Sequence, residues 1–230
     1  MTVEYNAGIQ AVPMPDRIRW LPVSAKGFPI PWFVAWIDGV PDFRVVGRGR
    51  LAEAVKRKRC WVCGQPLGAT FAMTLGPMCA INRTISEPPS HRDCAIYSAM
   101  ACPFLANPRM RRRAAGLPAD AIEPAGNGIK RNPGAVGVWL TKGYKPFKTH
   151  DGGTLFTFDD PVEVLWYAEG RTATRDEVEA SVKSGLPLLM EYAEAEGSGA
   201  VEGLRRMTAE AMRYLPAPLS SVKAACRTAG

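Results

Sequence analysis

An α+β fold is the expectation for this chain, on three observations. Strand-like segments gather before and after a cysteine-rich stretch, helical periodicity is concentrated near the C-terminus, and 20 prolines and 22 glycines in 230 residues break the chain into short elements. The expected architecture is antiparallel hairpins and a metal-knuckle/helix module, followed by a small antiparallel sheet and C-terminal helices. Four regions follow from it: an arm, hairpin and short helix over 1–57, the cysteine-rich module over 58–105, a basic Pro/Gly-rich connection over 106–135, and a sheet-plus-helix region over 136–230.

Residues 1–28 lack periodicity and read as an irregular arm. In PWFVAWIDGVPDFRVV, β-branched and aromatic residues flank Asp38-Gly39, a turn pair that accepts positive φ, so a hairpin is expected. LAEAVKRKR, 51–59, suits a short helix whose cationic last turn complements its dipole. Residues 106–135 are too broken by Pro and Gly for a long element. VGVWLTKGY, TLFTF and VEVLWYA have strand composition and are expected to form one antiparallel sheet, with HDGG turning between the first two.

The C-terminal region is read as helices. T-R-D-E at 174–177 matches a capping box, so a helix runs from Arg175 to about Ser184 and stops near Gly185, with Val178 and Val182 inward. Two more are expected over 187–196 and 200–215, the latter with Val201, Leu204, Met212 and Leu215 on an apolar stripe.

Four of the six cysteines and one of the two histidines fall between Cys60 and Cys94. Cys60-x-x-Cys63-Gly64 has the spacing at which two thiolates bend around one ion, with a glycine to accept the tight turn. Ser90 with Asp93 reads as an S-x-x-D cap, which starts a helix at His91. His91 and Cys94 then point the same way from its first turn. Cys60, Cys63, His91 and Cys94 are the expected metal ligands, with Cys79, in a loop-like GPMCAINR segment, as an alternative to His91. Cys102 lies eight residues beyond Cys94, roughly 12 Å along a continuing helix, and is read as a buried thiol. Zn2+ suits a mixed sulfur and nitrogen set; an iron–sulfur cluster on Cys60, Cys63, Cys79 and either Cys94 or Cys102 is the alternative.

Residues 58–104, with a CxxCG knuckle and a second ligand pair at a helix start, resemble the treble-clef zinc fingers, which implies a hairpin between the two pairs. GPMC, EPPSHRDCA and ACPFL also resemble a set of actinobacterial and bacteriophage proteins, a likeness that implies no activity.

The net charge of +7 is uneven: residues 1–150 hold 21 Lys/Arg against 9 Asp/Glu, and residues 151–230 hold 8 against 13. Clustered cations at Lys56, Arg57, Lys58, Arg59 and Arg111, Arg112, Arg113 bracket the cysteines and would attract phosphates, so nucleic acid or another polyanion is the expected partner. Trp61, between two cysteines and after KRKR, is the candidate for base stacking, whereas Trp32 and Trp36 alternate as core residues do. Two other readings are a module docking on a host protein and an enzyme acting on nucleic acid through an open metal site, with His91 or His150 as base. Four protein ligands close a zinc shell, and the sequence contains no GxxxxGK[ST], G-x-S-x-G, HExxH or H-x-E…P-C-x-x-C pattern, so a non-catalytic metal is expected. No signal-peptide pattern and no apolar run of roughly 20 residues is present; a cytoplasmic protein without a membrane span is expected.

Overall fold

The computed structural model describes residues 4–108, 110–111, 116–117, 125 and 132–218. The arm carries one 3-10 turn, Ala7–Ile9, and a one-turn helix α1, Asp16–Arg19. Its apolar residues show no periodicity, yet Ile9 and Ile18 are buried and Tyr5, Val12, Met14, Leu21 and Phe28 pack beside them. The hairpin forms as read: β1, Val34–Ile37, pairs antiparallel with β2, Val40–Val46, through Asp38 (φ 47°) and Gly39 (φ 77°). Both turn residues occupy the left-handed region that matches the twist of the flanking strands. Helix α2, Arg50–Arg57, follows, with Lys58 as its left-handed C-cap.

After the knuckle the chain does not make the expected hairpin. It forms a strand, a helix and a two-residue strand: β3, Phe71–Leu75; α3, Pro77–Asn82; and β4, Thr84–Ile85. GPMCAINR is therefore helical rather than loop-like, because Pro77 takes the first helical position, where its missing N–H costs nothing. Next come α4, Arg92–Ala101, and α5, Pro103–Ala106. The buried Asn132 then clamps the chain where it re-enters the core, donating to the carbonyls of Phe104 and Leu105 and accepting from Gly134 N–H.

Five strands follow: β5, Val136–Thr141; β6, Tyr144–Lys148; β7, Thr154–Phe158; β8, Pro161–Ala168; and β9, Arg171–Thr172. They do not share one sheet. β5 lies between β3 and β8 in an antiparallel sheet of order β3-β5-β8-β9, while β7 sits between β4 and β6 in a second sheet. The split follows from β5, which is buried at all six positions and so needs cover on both faces. Val136, Val138 and Leu140 pack on Ala95 and Ala99 of α4, and Trp139 on the opposite face packs with Met73, Phe156 and Phe158. The β4-β7-β6 layer supplies that second cover.

Thr174 and Glu177 form the expected capping box: the Thr174 hydroxyl accepts from Glu177 N–H at 3.3 Å, and Thr174 N–H donates to the Glu177 carboxylate at 2.8 Å. The helix it starts, α6, runs on to Glu196, through Gly185 and Pro187. Gly185 is required by contact rather than termination, since a Cβ there would lie 2.8 Å from Met78 Sδ of α3. Pro187 forfeits the hydrogen bond to the carbonyl four residues earlier and its ring crowds that carbonyl, yet the helix continues past it. Gly197 (φ 113°) ends α6, and α7, Ser198–Ala211, packs back with Leu204 buried against Ile81 and Val182. No helix among the described residues is long and apolar enough to cross a membrane.

Candidate metal centre

The two ligand pairs come from separate elements joined by backbone hydrogen bonds. The knuckle is a tight hairpin in which Cys60 N–H donates to Gln65 O at 2.8 Å, Gly64 N–H to Cys60 O at 2.9 Å, and Leu67 N–H to Lys58 O at 2.8 Å. Gly64 sits at φ 72°, and a Cβ there would lie 2.5 Å from the Trp32 ring, so the position demands glycine on both counts. The knuckle is tied to the rest by Trp32 N–H to Val62 O at 2.7 Å and Trp61 N–H to Pro89 O at 3.1 Å. On the other side Ser90 exchanges both backbone hydrogen bonds with Ala72, next in line after β3 begins at Phe71.

That exchange displaces the expected helix cap. His91, not Ser90, is the N-cap of α4, and Asp93 pairs with Arg17 of the arm at 3.3 Å. The i,i+3 relation survives because Cys94 sits in the first turn. The ligand atoms of Cys60, Cys63, His91 and Cys94 all lie within 4.8 Å of one another, and this group can hold a metal ion. Zinc bonds of about 2.3 Å to sulfur and 2.0 Å to nitrogen put tetrahedral ligand atoms about 3.6–3.8 Å apart. The distances from His91 Nδ1 to Cys63 Sγ and Cys94 Sγ, 3.4 and 4.0 Å, straddle that spacing.

The imidazole is held for this role. Its Nε2 lies 2.9 Å from the Pro66 carbonyl, which can only accept, so Nε2 carries a proton and Nδ1 faces the sulfurs. Cys60 and Cys94 are fully buried and Cys63 nearly so. Burial opposes ionisation of Cys60, but hydrogen bonds from Cys63, Cys94 and His91 outweigh it and hold the thiol far below its ordinary range. Hydrogen bonding to the Cys60 and Cys63 sulfurs drives Cys94 the other way, and burial adds to the effect. Hydrogen bonds to the same two sulfurs raise His91 to about 10. Three sulfurs and an imidazole thus share few protons in a largely buried pocket, and a divalent cation bound here would take the place of those protons and favour the thiolates.

Cys79 is not near this group. It lies in α3 against the cluster of Met73, Leu75 and Trp139, and burial, then the charge of Glu87, pushes its thiol up to about 11. Cys102 ends α4, with its thiol likewise raised by burial. The group therefore contains three cysteines and a histidine, and neither further cysteine needed for the iron–sulfur alternative belongs to it.

Trp61 corrects the stacking expectation. It is only 5% exposed, lying parallel to Phe33 with ring centroids 4.8 Å apart and edge-on to Trp32 at 6.5 Å, and no face is open to a base. Trp36, expected in the core, is 53% exposed on the hairpin. Arg59 is also committed, with Nε 3.0 Å from Glu53 and Nη1 donating to Gly64 O at 2.8 Å. Lys56, Arg57, Lys58 and Arg111 are exposed, although Arg57 approaches Glu53 at 3.9 Å; Arg112 and Arg113 lie outside the described residues. His150 is exposed in the turn before β7 and is not part of the metal-ligand group.

Sequence spacing singled out the four residues that converge here but not the Pro66 carbonyl, since nothing local marks a backbone oxygen as the partner of a ring 25 residues away. No protein-family model, no curated protein and no solved structure matches the chain.

Proposed function

We propose that this is a zinc-stabilised basic protein that binds nucleic acid or another polyanion and uses its metal for structure rather than catalysis. The convergence of Cys60 Sγ, Cys63 Sγ, His91 Nδ1 and Cys94 Sγ carries the reading. Three sulfurs and one nitrogen gathered within 4.8 Å of one another are a donor set that zinc accepts, and four protein ligands leave no position for substrate. His91 has no spare nitrogen for acid–base work, because Nε2 is bound to Pro66 O. The polyanion part is supported by the +7 net charge and by exposed Lys56, Arg57 and Lys58 leading into the knuckle.

Elemental analysis of purified protein tests the metal: one zinc per chain is expected, lost in Cys60→Ser and weakened in His91→Ala, with Cys79→Ala unchanged. Full stoichiometry in the first two variants would sink the assignment. Binding to oligonucleotides that weakens steeply with salt, and further in Lys56→Glu/Lys58→Glu, is the expected behaviour of the basic surface.

Exposed Trp36, Val40 and Phe43 on the β1–β2 hairpin favour a second reading, docking on a host protein. A Trp36→Ser/Phe43→Ser variant that keeps oligonucleotide binding but loses a purified partner would separate the two.

A further inference from the structure

The β4-β7-β6 sheet has one face in the core and one toward solvent. Phe158 and Phe156 of β7 are buried; opposite them stand Tyr144, half-buried, and Pro146, exposed at the edge. The alternate residues Lys145 and Phe147 stand opposite Thr157 and Leu155 and so share the outer face, which Thr84 of β4 extends beside Thr157. Lys145 and Thr157 are exposed, and the Phe147 ring is 41% exposed.

Cations line this strand. Lys142, in the turn before β6, and Lys148, at its end, flank Lys145; by the same alternation Lys148 stands on the face of Tyr144 and Pro146, so the three lysines border the edge of β6 rather than one face. Every ion pair among the described residues is made by an arginine, and none involves these three lysines. Lys142 donates to Thr70 Oγ1 at 2.9 Å, and Lys148 to Thr154 Oγ1 at 2.8 Å, both neutral acceptors that leave the positive charge uncompensated. The nearby Asp151 is occupied with Thr149 and Gly153 N–H.

Among the described residues β6 hydrogen-bonds only to β7, and its other edge pairs with no strand. Lysines and a proline on an open edge also guard against unwanted strand pairing. That role does not account for Phe147, since a guarding strand gains nothing from an apolar ring held in water. An exposed ring beside unpaired cations along a strand edge is an arrangement that holds single strands, in which bases stack and phosphates are neutralised.

We propose that the β6 edge binds single-stranded nucleic acid, with Phe147 stacking a base beside Lys145 on the outer face and Lys142 and Lys148, at the two ends of the strand, contacting phosphates. The proposal rests on the nucleic-acid reading above and moves its centre from the knuckle to β6.

The test is fluorescence anisotropy of the full chain with a labelled 12-nucleotide oligo-dT and a 12-base-pair duplex at fixed salt. Phe147→Ala is expected to weaken single-strand binding about tenfold or more and duplex binding far less, with Phe147→Tyr restoring it. Lys145→Glu/Lys148→Glu should weaken both ligands and flatten the salt dependence. Unchanged circular dichroism and zinc content establish that each variant is folded. Wild-type affinity in the β6 variants, with loss only in Lys56→Glu/Lys58→Glu, would overturn this surface and leave the broader reading standing. Absence of binding by the wild-type chain would overturn both.

Discussion

Removing the metal is expected to release the N-terminal arm before it disturbs the C-terminal core. The arm's two buried side chains, Ile9 and Ile18, share a cluster with Cys60, Cys63, Cys94 and Tyr97. Full burial of each isoleucine stabilises the arm by about 1.5–3 kcal/mol, or about 3–6 kcal/mol for the pair. The only ion pair from the arm to this region among the described residues, Arg17 with Asp93 at 3.3 Å, is half open to solvent and adds little. The partly buried Tyr5, Val12, Met14, Leu21 and Phe28 of the arm pack on the same cluster and add to its anchoring. A structural zinc, at about 10 kcal/mol or more for the fold it organises, is at least comparable with the arm's whole contribution. Chelation should therefore open the cluster and take the arm with it. Trypsin cleavage after Arg17, Arg19 and Lys26, followed by mass spectrometry, reads this directly. Losing even 3 kcal/mol of anchoring raises the open population about a hundredfold, and cleavage with it. The core around Trp139 and Phe156, which contains none of the four ligands, should stay protected. An arm equally resistant after verified loss of the metal would refute the reasoning.

Gly64→Ala combines a positive φ with a Cβ set 2.5 Å from the Trp32 ring, for a cost of about 2–4 kcal/mol; the melting temperature should fall by roughly 5–15 °C in calorimetry, and an unchanged melt would contradict the packing described. Hydrogen bonds from Arg171, then from Thr174 N–H, hold the Glu177 carboxyl at about 2, below its usual 4.5. Its contribution, about 1 kcal/mol as for other helix caps, is thus complete above about pH 4.5 and lost as pH falls through about 2; Glu177→Gln should be less stable than wild type at pH 7 in urea and converge with it near pH 2.

The metal-ligand group was legible because its signal is local: CxxCG defines a turn, and His91 with Cys94 three apart share a direction whichever residue caps the helix. The same locality explains the misreadings. Trp61 follows four cations in the sequence, yet its environment is set by Phe33 and Trp32, which nothing near residue 61 reveals. Gly185 looks like a stop until α3 is seen lying against it. β6 escaped notice because Lys-Pro-Phe-Lys lacks β-branched residues, and an edge strand tolerates the proline a central strand would reject. The division of the strands between two sheets depends on β3 pairing with β5, a contact between residues more than 60 apart for which the local pattern holds no cue.

That pairing has a consequence for how the molecule comes apart. Along β3 and β5, Phe71 to Leu75 meet Thr141 to Gly137 in unbroken register, and α4 seals one side of the seam with Ala95 and Ala99. A chain severed anywhere between residues 108 and 132 would still present both partners of this seam. The two pieces should elute together under native conditions and separate only in denaturant, which makes that interval the natural place to divide the protein into complementing halves.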